Sequence, residues 1–128
     1  MFTNYNLNDG KNMPLNTLNI STEDTNIEEI IEYNKQISVF NNGDFNVEFL
    51  IIYKINEEDI ILKSGIFNKG FTRYIGIPTN ITSFYLTITI INSSSMEKLA
   101  FSNTVTFTED VDFEVAGNFS DFNVYRKS

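Results

Sequence analysis

The chain has 128 residues, 41% of them hydrophobic, a formal net charge of −8, and neither cysteine nor histidine. That length holds one domain with its own core. The missing residue types exclude disulfides, thiolate nucleophiles, cysteine-ligated zinc and any Ser-His-Asp or Cys-His catalytic site. The negative charge opposes nucleic acid and anionic lipid surfaces, and leaves neutral lipid, sugar or a basic protein as partners. Only carboxylates, Lys, Tyr, Ser and Thr remain for chemistry, so the expectation is a non-enzymatic protein without a cofactor or a metal.

Residues 1–20 are polar and asparagine-rich, and read as an N-terminal arm preceding one domain over 21–128. The start, "MFTNYNLNDGKNMPLN", lacks a basic segment followed by an apolar core. It is not read as a signal peptide, so synthesis in the cytoplasm is expected, with leaderless release as a further route. Thr25 followed by Glu28 fits a capping box. Ile27, Ile30 and Ile31 keep helical spacing, whereas Ile31, Tyr33, Lys35, Ile37 and Val39 alternate. The reading is a short helix from about Asn26 that gives way to strand near Tyr33.

From Gln36 onward the pattern is all β. "KQISVF" is followed by "FNVEFLIIYKI", in which Phe45, Val47, Phe49, Ile51, Tyr53 and Ile55 share one face. Between them, "NNG" is expected to close a hairpin through a three-residue loop, Asn41-Asn42-Gly43, with Gly43 left-handed. Val39 then faces Phe45 and Ile37 faces Val47. "NEED" forms the next turn and "IILKSG" an edge strand. "FTRYIGI" stops at Pro78, which cannot donate to a ladder. "SFYLTITIIN" places Phe84, Leu86, Ile88 and Ile90 on one face, and "LAFSNTVTF", "VDFEVAG" and "FNVYRK" complete the set. Seven to eight strands with turn signals every ten or so residues predict an antiparallel β-sandwich.

In "SGIFNKGFTRYIGIP" two glycines and two basic residues lie close together. The Walker spacing and a following helix are missing, so this is read as a loop entering a strand, with Gly65 and Gly70 supplying positive φ. Glu57, Glu58 and Asp59, and separately Glu109, Asp110 and Asp112, are carboxylate runs without EF-hand spacing, read as solvated faces. "NSSSMEKLAF" joins two long strands, and its Met96, Leu99 and Phe101 lend a connecting loop some apolar reach.

Three quoted stretches, "ISVFNNGDFNVEFLIIYKI", "SGIFNKGFTRYIGIP" and "FYLTITI", followed by a loop and "NTVTF", resemble the membrane-recognising C-terminal β-sandwich domain of cholesterol-dependent cytolysins and related small bacterial and fungal proteins. The resemblance runs from Ile37 to about Val124 and rests on a Gly hairpin, a strand of alternating aromatics and a strand ending in Ile77-Pro78. It implies a sandwich that recognises a membrane lipid, a surface glycan or a toxin partner. The family's tryptophan-rich loop falls at Ser93–Phe101, where this chain has no Trp. Its Thr-Leu pair falls after Gly117, where this chain reads "GNFSDF". The contact residues expected from the two loops are Met96, Leu99, Phe101, Phe119 and Phe122. The alternative is a structural protein that assembles into a homo-oligomer or deposit through the "IILKSG" edge. A carboxylate-based carbohydrate-active enzyme ranks third.

Overall fold

The fold is seen in a computed structural model that describes residues 35–127. The helix and arm expected within residues 1–34 lie outside the described residues. Eight strands follow one another: β1 (Lys35–Gly43), β2 (Asn46–Ile55), β3 (Glu58–Lys63), β4 (Thr72–Ile77), β5 (Ser83–Ile91), β6 (Glu97–Thr106), β7 (Val111–Gly117) and β8 (Phe122–Arg126). They form two four-stranded sheets, in the orders β4-β1-β7-β8 and β3-β2-β5-β6.

Strict alternation in β2 and β5 sends every second side chain inward, as the pleat requires. Val47, Phe49, Ile51 and Tyr53 of β2 meet Phe84, Leu86, Ile88 and Ile90 of β5 on the inner face of one sheet. Ile37 and Val39 of β1, Ile75 and Ile77 of β4, and Val111, Phe113 and Val115 of β7 fill the core from the other sheet. Each such large side chain contributes about 1.5–3 kcal/mol when fully buried. Phe49 against Phe67 and Phe84 against Phe107 pack edge to face, at centroid distances of 6.2 and 5.0 Å, the arrangement that aromatic quadrupoles favour.

The expected hairpin at "NNG" does not form. β1 pairs with β4 and β7, and β2 pairs with β3 and β5, so the chain crosses from one sheet to the other at Asp44-Phe45. Val39 lies beside Arg73 and Phe113 in its own sheet rather than opposite Phe45, and Ile37 beside Ile75 and Val111. The physical reason is that a hairpin and an inter-sheet arch bury the same alternating residues. Gly43 is not left-handed; positive φ among the described glycines occurs at Gly65, Gly70 and Gly117. Position 43 is crowded for another reason. A Cβ there would lie 2.1 Å from Cζ of the Phe45 ring, which folds back onto the backbone as the chain turns inward. The β1–β7 pair is parallel, so the sandwich is mixed rather than wholly antiparallel.

β3 is an edge strand as expected, and β4 ends before Pro78 at another edge. Residues 64–71 run from β3 to β4 past that side of the sandwich. Phe67 exchanges backbone hydrogen bonds with Val47, and Arg73 Nη1 donates to the Ser64 carbonyl. On the opposite side Arg126 Nη2 donates to the Thr106 carbonyl, tying β8 to β6.

Candidate functional site

The strand directions place four connections at one end of the sandwich: the 44–45 crossover, the 64–71 segment, the 92–96 turn and the 118–121 turn. Backbone bonds hold them together. The Asp44 amide donates to the Gly117 carbonyl at 2.9 Å, and Gly70 donates to the Asn41 carbonyl at 2.7 Å. Asn41 is fully buried. Its Nδ2 donates to the carbonyls of Phe45 and Phe67, and its Oδ1 accepts from the Gly43 amide. One side chain thus pins the crossover and the 64–71 segment to β1, satisfying backbone groups that burial would otherwise leave unpaired.

The 92–96 turn is tight. Asn92 Oδ1 accepts from the amides of Ser94 and Met96, an Asx-type closure, and Ser95 takes φ 65°. β6 already begins at Glu97, so the expected loop over Ser93–Phe101 is a short turn followed by a strand. A bulge at Ala100 then decides which side chains face out: Phe101 lies opposite Ile88, whereas Leu99 lies opposite Thr89. Without it, Leu99 and Phe101 would share a face. With it, Phe101 turns inward, 5.5 Å from the Phe113 ring centroid, and Leu99 turns outward.

The five expected contact residues therefore divide. Met96 and Leu99 are 61% and 59% exposed. Phe101, Phe119 and Phe122 are partly buried and pack against the core. The 118–121 turn carrying Phe119 is closed by Asn118 Oδ1, which accepts from the amides of Ser120 and Asp121. Lys98 lies opposite Ile90 and reaches across to the other sheet, where its Nζ donates to the Phe119 carbonyl at 2.9 Å and sits 4.6 Å above the Phe119 ring. The two loops singled out in the sequence thus meet at one end and are joined by Lys98. Sequence reasoning missed Ile66 and Phe71, both more than half exposed. They flank the same end on the 64–71 segment. Ile66 and Phe67 are adjacent apolar residues of which one had to face out, and nothing in their spacing says which.

Of the charges at this end, Lys69 pairs with Asp44 at 2.8 Å, in solvent, where such a pair contributes little. Among the described residues no three His, Cys, Asp or Glu side chains group to hold a metal ion. Of the carboxylate runs noted in the sequence, Asp59 pairs with Lys54, Asp110 accepts from the Gln36 amide and Asp112 accepts from Ser38 Oγ.

No family model and no curated protein matches this chain by sequence. Its fold is that of a membrane-binding domain in solved cytolysin structures. The membrane-binding domain of pneumolysin aligns at a TM-score of 0.57 and 12% identity, covering 73% of this chain and 96% of that domain. Listeriolysin O aligns at 0.55 and 12% identity over 73% of this chain. Suilysin from Streptococcus suis aligns at 0.56 and 9% identity over the same share. The aligned region spans 22% and 23% of those two toxins.

Proposed function

We propose that this chain is a non-enzymatic membrane-recognition module that touches its target with the end of the sandwich carrying Met96 and Leu99. The observation that carries the proposal is the exposure of Met96, Leu99, Ile66 and Phe71 at that one end, where the connections are held by the buried Asn41 amide and by Lys98. The likeness to a membrane-binding domain supports it. Such an end inserts apolar side chains among lipid headgroups while the sandwich stays in water, and each buried methylene contributes about 0.8 kcal/mol. With a net charge of −8, a neutral surface is favoured over an anionic one. The contact is made by Met96, Leu99, Ile66 and Phe71, since the chain has no tryptophan and Phe101, Phe119 and Phe122 pack inward.

Co-sedimentation with neutral, sterol-containing and neutral glycolipid vesicles tests this reading. The wild type is expected to pellet with at least one of them, and a Met96→Ser/Leu99→Ser variant to stay in the supernatant with an unchanged melting temperature. Equal binding by the variant, or no binding to any vesicle, would overturn it.

A further inference from the structure

The outer face of the β3-β2-β5-β6 sheet carries a second feature, at the opposite end from Met96. The register sets Ile61, Ile52, Tyr85 and Thr104 side by side across the four strands. Ile61 is 55% and Tyr85 41% exposed. A shallow open depression of about 400 Å³ adjoins the Ile52, Tyr85 and Thr104 part of this row, lined also by Lys54, Asn80 and Ser83. The Tyr85 hydroxyl is hydrogen-bonded to Ser102 Oγ on the neighbouring strand, one step along the sheet. That tether restrains the ring over the sheet at the border of the depression, which Tyr85 lines. Around it, Asn80, Ser83 and Thr104 offer an amide and two hydroxyls that bond to no other described residue. Lys54, which also lines the depression, is paired with Asp59 at 2.8 Å.

We propose that this depression binds the pyranose ring of a neutral glycan, stacked on Tyr85. A sugar ring presents a face of slightly positive C–H groups, which the negative face of an aromatic attracts, and a rim of hydroxyls that need donors and acceptors in alternation. A fixed aromatic plate bordered by amide, hydroxyl and paired charges matches both. Ile52 extends the apolar floor for an acetamido methyl. Nucleotides and acidic sugars stack as well, but the net charge of −8 opposes them. The site is about 20 Å from the Met96 end, six residues along β2 at about 3.4 Å each, so it stands or falls independently of the membrane reading.

Saturation-transfer NMR on the full chain, with the methyl glycosides of glucose, galactose, mannose and N-acetylglucosamine at tens of millimolar, tests the proposal. At least one glycoside is expected to receive saturation through the C–H protons of one ring face, with amide shifts centred on Tyr85, Asn80 and Thr104. Tyr85→Ala is expected to weaken that binding about tenfold, the size of an aromatic stacking contact. Tyr85→Phe, which keeps the ring and frees it from Ser102, is expected to weaken it less. Met96→Ser/Leu99→Ser is expected to leave it unchanged. Transfer to none of the four, shifts centred elsewhere in the wild type, or undiminished binding by Tyr85→Ala would overturn the proposal. Retention on neutral glycolipid vesicles or on an immobilised neutral-glycan glycoprotein, competed by the bound glycoside, supports it either way and identifies the carrier.

Discussion

Asn41 joins three stretches of chain with one amide, and its replacement is the most informative single change in the framework. Asn41→Leu is nearly equal in volume but leaves the Phe45 carbonyl and the Gly43 amide without these partners, while the Phe67 carbonyl keeps its bond from the Val47 amide. Each buried group left unpaired costs about 1–3 kcal/mol. Chemical denaturation is expected to show a loss of at least that size, and hydrogen exchange to show faster opening at residues 43–47 and 67–71 than in the body of β5. Glu114 offers a test by pH. Its carboxylate accepts from Asn42 Nδ2 and from Lys127 Nζ, both at 2.9 Å, and these bonds, Asn42 first, hold its pKa below the ordinary glutamate value. A carboxyl whose folded pKa is depressed adds stability above its unfolded value, and that stability is lost as pH falls through the lowered folded value. Asn42→Ala is therefore expected to melt below the wild type at neutral pH. The gap should narrow from about pH 4 downward, where glutamate begins to protonate in the unfolded chain. A gap independent of pH would mean that Asn42 acts through packing rather than through Glu114.

At the scale of strands and turns, the β7–β8 connection depends on Gly117. Its φ is +106°, and a Cβ would lie 2.3 Å from the Asp121 carbonyl oxygen. Gly117→Ala is expected to cost more than about 1 kcal/mol through strain at an incompatible φ, and to displace Phe119 from under Lys98, visible as loss of amide protection at 118–121. The bulge at Ala100 separates the two kinds of apolar residue on β6, which gives a paired prediction. Phe101→Ala is expected to lower stability by roughly 2 kcal/mol, below the range for fully buried phenylalanine, and Leu99→Ala to leave stability within about 0.5 kcal/mol. Thermal melts of the two variants decide whether the bulge sorts them this way. Much at this scale was legible in sequence. The alternation in "FNVEFLIIYKI" and "SFYLTITIIN" predicted the inner faces, Pro78 the end of β4, and the glycines at 65 and 70 their positive φ. The bulge was not legible, because plain alternation in "EKLAFSNT" puts Leu99 and Phe101 on one face, and only pairing against β5 inserts the extra residue that parts them.

For the whole molecule, the charge of −8 and the ties between facing edges bear on assembly. Arg126 and Arg73 stitch one sheet to the other at either side, whereas β3 is a six-residue edge with Ile61 exposed. Short edges that carry charge, here Glu58, Asp59 and Lys63, resist pairing with other chains. A monomer is expected by light scattering across a wide concentration range. A concentration-independent oligomer that Ile61→Lys dissolves would favour assembly through β3 over a single-copy binding module.

Periodicity and turn residues in the sequence by themselves determined that the chain from Gln36 onward is a β-sandwich, which faces of β2 and β5 enter its core, and that loops near Met96 and Phe119 carry apolar side chains. Those are local properties: a pleat with period two and a backbone that only glycine or proline suits. Tertiary structure alone decided that β1 and β2 lie in different sheets, that β1 runs parallel to β7, that Phe101, Phe119 and Phe122 turn inward while Met96 and Leu99 turn out, and that Ile66 and Phe71 join them. Each of those outcomes is a choice between arrangements that bury the same residues of one strand equally well. The choice is made by its partners far along the chain: the Phe45 ring against Gly43, the Asn41 amide, Ile88 opposite Phe101, and Lys98 over Phe119.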